Sequence, residues 1–466
     1  MEIIKPLDSS KVPTISSINI YGLFGHLNHE IKLNDSGVTF IHGPNGCGKT
    51  TVLRLLSGLF TWDTQILFET NFLKIEITKT DQSVFCIDRN TNEVDEYQRQ
   101  IPSLVFYIEN SDFEPFTLSV ESSAARMAVR IPSAEITELL PFLHRITVRE
   151  WRDRNTGEIL EYQEILRRYG EKLPFISRRK RRPEWLTSYI SSTKLHLIKT
   201  QRLLNIDSST LRRNRGDDHS VTDVIQLYAN EIKETISAKL AEQAVVSQFH
   251  DRSFPERLLT LTSDKAISED QIRKMYSETE EKIQGLVEAG LIDSQTNISL
   301  PNKVLAETER TVLSLYLQDV NKKLEVFDEL QNKIQIFLEI VAKKLKSKRF
   351  SVNRKDGFLI ESLHDRGGIL HPTQLSSGEQ HQIVLFYELI FKADNNSFFL
   401  IDEPEISLHI DWQRSFLNDI RKISVLGDSN FLIATHSPQI IGGHRELAIA
   451  LEAGILEGEN NATNTI

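Results

Sequence analysis

The chain of 466 residues is long enough for two or three domains, and its 26% charged and 39% hydrophobic residues are typical of a globular protein. A formal charge of −10 does not favour bulk attraction to nucleic acid, so any such contact must come from a local patch. An apolar run of about eighteen residues, a signal-peptide pattern and a CxxC pair are all absent from the sequence, so we expect a cytoplasmic protein with no membrane partner, zinc site or disulfide scaffold.

Strand patterns dominate the N-terminal part of the chain. Ser17–Tyr21 and Glu30–Leu33 alternate apolar with polar residues, and the apolar run before Gly43 is typical of a buried strand. Two further strand-like runs surround Thr80–Gln82, which predicts a β-hairpin. The run LVFYIEN that follows is another predicted strand.

The middle of the chain reads mainly as helix. Ser119–Tyr189 has a polar helical pattern, a strand returns at Leu195–Leu204, and Val221–Lys346 is almost wholly helical in pattern. Within this stretch Asp264–Ser299 predicts a helical hairpin. Apolar residues spaced three and four apart over Val320–Leu345 form a heptad-like seam, which we interpret as an intramolecular core rather than an oligomer contact.

Strands return after the helical stretch. A hairpin is predicted around Lys355–Gly357, and two apolar strands then lead to Asp402 and to the segment that carries His436. Because strand-rich segments at both ends flank the helices, we predict one α/β unit that a helical arm divides.

The segment GPNGCGKTT, Gly43–Thr51, fits the phosphate-loop pattern between a strand and a helix. Glycines let backbone N–H groups wrap a phosphate, and the helix N-terminus adds a favourable dipole. Lys49 is expected to reach the β- and γ-phosphates of ATP, and the Thr50 hydroxyl to bind Mg²⁺. The predicted nucleotide-binding residues of this loop are Asn45, Gly46, Gly48, Lys49, Thr50 and Thr51.

Further polar residues follow apolar strands. Asp402 is placed to hold Mg²⁺ through its water shell, and Glu403 to polarise the attacking water. His436 follows another strand, at the edge where such sheets bind ligands, and we predict that it senses the γ-phosphate. Gln201 is similarly placed to link Mg²⁺ or water to the helical arm.

A second anion-binding pattern begins at Leu375. Ser376, Ser377, Gly378 and Glu379 fit a simple capped helix by local rules, and they also fit a helix N-terminus that binds phosphate. The order along the chain favours the second interpretation. It runs from the phosphate loop through the glutamine strand, the Ser-Gly-Glu helix and the Asp-Glu strand to the histidine strand.

These motifs, in this order, resemble those of ABC-type ATPases. The phosphate loop looks like Walker A, TQ the Q-loop, LSSGEQ the ABC signature, LIDEPE Walker B and ATHS the switch-histidine segment. The segment EISLH stands where transporters of that family more often show Ser-Ala-Leu-Asp. The resemblance implies that two chains sandwich two ATP molecules, so that Ser376 and Gly378 act on the γ-phosphate held by the neighbouring subunit.

The segments DEPE and SLH, followed by Trp412 and Gln413, are similar to the OLD-like and SMC-like branch of the family. Length, arm and motifs together resemble the AriA ATPases of the PARIS anti-phage system, with the PtuA ATPases of Septu and retron systems as near alternatives. This resemblance implies a slow, regulatory ATPase that forms a homo-oligomer. It also implies a separate nuclease effector, of Toprim type in PARIS, that is held until a phage product is sensed.

The basic run consists of Arg178, Arg179, Lys180, Arg181 and Arg182. It fits a solvated surface, a contact with an acidic phage trigger protein, or a contact with DNA phosphates, of which the last is not favoured. Two other functions remain open. A DNA repair or tethering ATPase of SMC-like type is opposed by the negative net charge, and an ABC transporter subunit by an arm that would obstruct a membrane partner near Gln201.

Pattern and resemblance together predict an α/β fold. The expected architecture is an ABC ATPase head, with a mixed sheet around the phosphate loop and an antiparallel β lobe, split by a long α-helical insertion or short coiled-coil arm. The predicted segments are 1–118 for the N-terminal half of the head, 119–193 for a helical insertion with the basic run, 194–210 for the Q-loop strand, 211–346 for the helical arm, and 347–466 for the C-terminal half of the head.

Overall fold

Segments far apart in the chain contribute strands to one parallel sheet, as seen in a computed structural model of the protein. The structure describes residues 13–94, 100–119, 140, 142–145, 150–153, 159–161, 165, 182–199, 221–260, 267–293, 300–364, 368–392 and 396–451. None of the described helices is both long and apolar enough to cross a membrane.

The N-terminal segment forms an antiparallel sheet and the first strand of the parallel one. Its elements are β1 (Ile15–Leu23), β2 (Leu27–Lys32), β3 (Val38–His42), α1 (Lys49–Phe60), α2 (Thr64–Glu69), β4 (Lys74–Lys79), β5 (Val84–Val94), β6 (Gln100–Ile108) and β7 (Phe116–Ser119). The antiparallel sheet has the order β2-β1-β4-β5-β6-β7. The predicted hairpin at Thr80–Gln82 joins β4 to β5 and is confirmed.

The next segment contains strands where we predicted helix. The strands β8 (Leu143–Arg145), β9 (Glu150–Asp153) and β10 (Ile159–Glu161) pair antiparallel, and α3 (Glu184–Ser191) and β11 (Lys194–Lys199) follow. Among the described residues between 142 and 161, the prediction of helix for Ser119–Tyr189 is therefore wrong, whereas α3 agrees with it. Strands of three or four residues are too short for a period of two to stand out in the sequence.

The arm consists of α4 (Val221–Thr260), α5 (Glu269–Glu288), α6 (Glu307–Glu325) and α7 (Asp328–Lys344), so the helical prediction for Val221–Lys346 holds for the described residues. The predicted hairpin within Asp264–Ser299 is wrong, because the described part of that stretch forms the single helix α5. Gly285 lies inside this helix, and Gly290, with φ of 72°, follows its end. Helix α5 instead packs against α6.

The heptad-like seam lies inside the protein. Its buried side chains belong to the same hydrophobic cluster as Phe399 and Phe431 of the parallel sheet. They include Phe327, Leu330, Ile334, Phe337 and Val341. The interpretation of the seam as an intramolecular core is confirmed.

The C-terminal segment completes the head. It contains β12 (Lys348–Asn353), β13 (Gly357–Ser362), α8 (Ser377–Phe391), β14 (Ser397–Asp402), α9 (Ile410–Gly427), β15 (Asn430–Ala434), α10 (Pro438–Ile441) and β16 (Ala448–Ala450), with 3₁₀ turns at Pro372–Gln374, Pro404–Ser407 and Arg445–Leu447. The predicted hairpin around Lys355–Gly357 joins β12 to β13 and is confirmed.

The parallel sheet has the order β11-β14-β15-β3-β16, and every pair in it is parallel. Its carboxyl ends therefore meet at one edge, which brings together the residues that follow β3, β14 and β15. With an antiparallel lobe at one side and a helical arm at the other, the predicted α/β fold class of a split ATPase head is confirmed.

Both faces of the parallel sheet are buried, because side chains alternate between them along each strand. Phe399 and Phe431 pack, with helices α4, α7, α8 and α9, into one hydrophobic cluster. Phe398 and Leu432 point to the other face, where α1 and the antiparallel sheet form the second cluster. The sheet is thus a rigid support for the loops at its edge.

The arm is fastened to the head by buried contacts. Lys344 of α7 donates to Asp419 of α9 at 2.7 Å, and the two side chains are only 3% and 8% exposed. Tyr228 of α4 donates to Glu388 of α8 at 2.6 Å. A Cβ atom at Gly357 would lie 1.9 Å from the carbonyl oxygen of Ala229, so the β12–β13 turn touches the α4 backbone directly.

Candidate nucleotide site

The phosphate loop lies between the buried strand β3 and helix α1. Gly46 and Gly48 have φ of 85° and 93°, a conformation that glycine adopts without steric cost. A Cβ atom at Gly48 would lie 2.7 Å from Leu23 Cδ2, so a side chain there would displace the buried Leu23 as well as strain φ, whereas a Cβ atom at Gly46 would meet nothing within 4 Å. Left-handed turns of this kind let successive N–H groups converge on an anion.

The Lys49 side chain, in the first turn of α1, is buried against the loop. Its ammonium donates to the carbonyl oxygens of Gly43 and Pro44 at 3.0 and 3.1 Å, and lies 3.8 Å from Cys47 Sγ. Carbonyl oxygens solvate an ammonium group without neutralising it. The positive charge therefore remains available at the loop for a phosphate.

Two side-chain oxygen atoms meet at the start of α1. The Thr50 hydroxyl donates to Asp402 Oδ1 at 3.0 Å, although 352 residues separate them in the chain. Asp402 is the last residue of β14, and Thr50 is the second residue of α1. Hydroxyl and carboxylate oxygens are the protein ligands that Mg²⁺ takes in phosphate-loop enzymes, so this donor set fits a Mg²⁺ ion that also binds nucleotide phosphates.

Glu403 and His436 face each other at the same edge. His436 Nε2 lies 3.7 Å from Glu403 Oε1, and their side chains are 36% and 28% exposed. Glu403 has φ of 48°, and its N–H donates to the carbonyl oxygen of Ala434 at the end of β15. A left-handed residue other than glycine costs on the order of 1–3 kcal/mol, so the surrounding structure must hold Glu403 in this conformation.

Glu405 is a site residue that sequence reasoning missed. Its carboxylate accepts hydrogen bonds from the Thr435 hydroxyl at 2.9 Å and from the His436 N–H at 2.5 Å. The only signal in the sequence is a third acid in DEPE, and an acid in a turn is ordinarily a solvated one. The contact depends on the pairing of β14 with β15, which local pattern does not show.

The Ser-Gly-Glu motif is the capped N-terminus of α8. Ser376 accepts from the Glu379 N–H, and Glu379 accepts from the Ser376 N–H at 2.8 Å, a capping box. Lys348, which sequence reasoning did not single out, donates to both Glu379 oxygens at 2.7 and 2.8 Å. Ser376 and Ser377 remain exposed, so the positive end of the α8 dipole is open to solvent.

The Glu379 carboxyl illustrates how this cap is held. Burial raises its pKa, but the hydrogen bonds from Lys348 and Ser376 outweigh burial and hold the pKa below its usual value. Behind the motif, a Cβ atom at Gly378 would lie 3.4 Å from the Trp412 ring of α9. The cap is therefore a charged, pre-formed surface on a supported helix.

An exposed aromatic ring lies beside the phosphate loop and also escaped sequence reasoning. Phe24 is 43% exposed and has φ of 56°. Its Cε2 atom would lie 3.4 Å from a Cβ atom at Gly48. A ring in this position can stack on a nucleotide base.

Some of the predicted site residues lie together at one edge of the parallel sheet, and others lie outside the described residues. The exposed loop residues Asn45 and Gly46, the half-buried Thr51, and the Thr50–Asp402 and Glu403–His436 pairs share the carboxyl edge of the parallel sheet. Gln201 lies outside the described residues, two positions after β11. In the basic run, 178–181 are also outside them, and Arg182 is exposed with its guanidinium 4.8 Å from the Trp62 ring centre.

A phosphate loop, an Asp-Glu strand end and a histidine strand end lie on one sheet edge, as expected for an ABC-type ATPase head. The chain belongs to the AAA ATPase domain family, which matches residues 14–441. Nucleotide binding and ATP hydrolysis are therefore its general activity.

Similarity to individual proteins is more distant. A stretch of 93 residues, 20% of this chain, is 32% identical to UvrABC system protein A of Oceanobacillus iheyensis, of which the match covers 10%. Among solved structures, the Smc head domain of Pyrococcus furiosus bound to the C-terminal domain of ScpA is 14% identical, with 95% of each chain covered and a TM-score of 0.35. The SMC head domain of Thermotoga maritima is 8% identical, with 93% and 92% covered and a TM-score of 0.28.

Proposed function

We propose that this chain is a Mg²⁺-dependent ATPase with slow, regulatory turnover, and that its catalytic edge is the carboxyl end of the parallel sheet. The observation that carries the proposal is the 3.0 Å hydrogen bond between Thr50 and Asp402, with the Glu403–His436 pair on the adjoining residues. Phosphate release from Mg·ATP tests it, and Lys49→Ala should abolish the release. A wild-type protein that hydrolyses no ATP would overturn it.

Each residue at this edge has a proposed role. Lys49 binds the β- and γ-phosphates, and Thr50 and Asp402 hold Mg²⁺, which neutralises phosphate charge when bound. Glu403 accepts a proton from the attacking water, a contribution of roughly 10²–10⁴-fold. His436 donates a hydrogen bond to the γ-phosphate.

Two further roles rest on position. Gln201 follows β11, the neighbour of the Walker B strand β14, and is proposed to link Mg²⁺ or the attacking water to the arm. Phe24 is proposed to stack on the adenine, since its exposed ring adjoins the phosphate loop.

We further propose that a complete site takes two chains. The exposed cap of α8 is a pre-formed anion-binding surface, and Ser376 and Gly378 are proposed to bind the γ-phosphate held by a second copy. This accounts for a second phosphate-type helix end in a chain that already has a phosphate loop. The unit of function would then be a homo-oligomer.

Mixing two inactive variants tests the shared site. Lys49→Ala removes the phosphate loop of one chain, and Gly378→Arg blocks the α8 cap of the other. Random pairing gives half heterodimers, each with one intact composite site, so the mixture should recover about a quarter of wild-type hydrolysis. No recovery would contradict a site shared between chains.

The matched control mixes Lys49→Ala with Glu403→Gln. Both changes lie on the phosphate-loop side, so each heterodimer has two defective sites and the mixture should remain inactive. Recovery in this control would mean that the sites are assembled in some other way.

At the level of the cell, the proposal is a cytoplasmic anti-phage ATPase that acts as sensor and scaffold for a separate nuclease effector. It is supported by the DEPE, SLH and ATHS segments and the arm between the two halves of the head. ATP binding would close the paired heads and retain the effector, and a phage product would release it. The basic run from Arg178 to Arg182 is the proposed contact for an acidic trigger protein.

The neighbouring reading frame tests this part. A Toprim protein there would support a PARIS system, and an HNH protein would support a Septu or retron system. The neighbour should co-purify with Glu403→Gln in the presence of ATP. If no neighbour binds in either nucleotide state, the scaffold role is wrong, whereas the ATPase stands independently.

A DNA repair or tethering ATPase is the second candidate, because the helical arm inserted into the head is a surface on which DNA could lie. This function predicts that double-stranded DNA stimulates hydrolysis, with a stimulation that declines steeply as salt increases. Charge reversal at Arg178–Arg182 should abolish the stimulation. Hydrolysis that is indifferent to DNA at low salt would leave the sensor function.

A further inference from the structure

Glu405 lies in the 3₁₀ turn Pro404–Ser407, directly after the Asp402–Glu403 pair. It is half-buried, and its two carboxylate oxygens have different donors at the neighbouring strand end. Oε2 accepts from the Thr435 hydroxyl at 2.9 Å, and Oε1 accepts from the His436 N–H at 2.5 Å. Thr435 itself is fully buried, so its hydroxyl requires an acceptor from the protein.

Gln413 provides a second connection between the same two segments. Gln413 of α9 donates to the carbonyl oxygens of Glu405 and Leu408 at 3.4 and 3.1 Å. Its other amide atom, Oε1, accepts from the Ser437 hydroxyl at 2.7 Å. The turn after β14 and the segment after β15 are thus held together on both sides of His436.

We propose that Glu405 is a positioning residue, which holds the main chain of His436 so that its imidazole faces Glu403. The inference deepens the proposed ATPase function and rests on it. Glu405 fixes Thr435 and the His436 N–H, and the imidazole extends from that fixed backbone to within 3.7 Å of the Glu403 carboxylate. A displacement of about 1 Å at a reacting group can cost on the order of 10²-fold in rate.

We call the two hydrogen bonds that Glu405 accepts from Thr435 and His436 the clamp. A clamp of this kind requires a carboxylate. An ionised carboxylate is acceptor-only, so it can satisfy an O–H and an N–H at the same time. A glutamine in its place has one acceptor oxygen and an NH₂ group. Its oxygen can serve the His436 N–H, while its NH₂ group must donate to the Thr435 hydroxyl, whose own proton then loses its acceptor.

A double-mutant cycle between Glu405 and His436 tests the inference. Glu405→Ala should lower kcat for ATP hydrolysis by about tenfold or more and change the KM for ATP by less than about twofold. Glu405→Gln should be intermediate, because it retains one bond. In the His436→Ala background, Glu405→Ala should cost less than about twofold, since the positioned group is gone.

Several outcomes would overturn the role. Equal losses from Glu405→Ala with and without His436 would show that the carboxylate acts on something other than the imidazole. A KM increase with unchanged kcat would assign Glu405 to nucleotide binding. A wild-type protein without hydrolysis would refute the ATPase proposal and this inference together, whereas an active wild type with an unaffected Glu405→Ala refutes the inference alone.

Control variants distinguish a loss of positioning by Glu405 from a general loss of folding stability. Glu446→Ala removes another glutamate that contacts a histidine, His444 at 2.8 Å, and should leave hydrolysis unchanged. If Glu405→Ala fails to fold, Thr435→Val removes one donor and leaves the carboxylate in place. It should give the intermediate loss of kcat in wild type and a loss below about twofold beside His436→Ala, and equal losses in both would contradict the inference.

Discussion

The nucleotide edge of the parallel sheet and the junction between arm and head are held together in opposite ways. At the edge, the side chains of Thr50, Glu403 and His436 are partly exposed to solvent. At the junction, Lys344 and Asp419 are almost fully buried and satisfy each other. The edge is therefore open to solvent, as the proposed nucleotide site requires, whereas the ion pair at the junction is shielded from solvent.

This difference separates two kinds of mutational effect. A change at the edge alters groups that are proposed to act on the nucleotide, so it should change turnover and leave the free energy of unfolding largely intact. A change at the junction breaks buried contacts, so it should reduce the free energy of unfolding and leave ATP affinity largely intact.

The largest effect is expected for Glu403→Gln at the edge. Loss of the proposed base should slow phosphate release by roughly 10²–10⁴-fold, while ATP remains bound and stabilises the closed oligomer. Phosphate release and light scattering with ATP measure the two results. Glu446→Gln, an exposed glutamate outside the edge, serves as the control. Normal turnover in Glu403→Gln would show that the base is another group.

At the junction, Lys344→Met should destabilise the fold by about 3–5 kcal/mol, because it leaves the Asp419 carboxylate buried without its partner. The double variant Lys344→Met with Asp419→Leu should recover most of this loss. Urea unfolding measures both, and the KM for ATP should not change. An equally unstable double variant would mean that the surrounding packing, rather than the ion pair, determines stability here.

Gly357→Ala is expected to cost about 2–3 kcal/mol of unfolding free energy, because φ is 74° and the added Cβ would lie 1.9 Å from the Ala229 carbonyl oxygen. Gly443→Ala is its matched control. Gly443 has φ of 83°, and a Cβ atom there would meet nothing within 4 Å, so only the conformational cost of about 1 kcal/mol remains. Equal losses in the two variants would argue against a tight turn–helix contact.

The smallest effect is expected for Glu388→Gln. Burial raises the pKa of the Glu388 carboxyl, so the folded state retains this proton to higher pH than the unfolded state, whose carboxyl titrates near about 4.3. Wild-type stability should therefore fall as pH rises from that value through the raised pKa, and glutamine removes this fall. Urea unfolding at pH 4 to 7 should show the variant gaining on the wild type with pH. Glu234→Gln, an exposed neighbour on α4, should show no such gain, and an equal trend in both would contradict the burial argument.

Local sequence predicted those elements whose residues are neighbours in the chain. The phosphate loop, the two hairpins and the heptad-like seam are short-range patterns, and each was found in the structure. The strands β8 to β10 were missed, since they are too short for alternation to show. Trp151 in β9 is buried, but the sequence around it does not indicate which strands pair with β9.

The sequence by itself determined which chemical groups the candidate site offers. The glycine spacing, the lysine and the acids at strand ends can be recognised because the residues of each motif are neighbours in the chain. Tertiary structure decided which of these groups meet. The Thr50–Asp402 contact, the Glu405 clamp on His436 and the Lys348–Glu379 pair each join distant segments. Such contacts depend on the order of strands in the sheet, and that order follows from burying both of its faces at once.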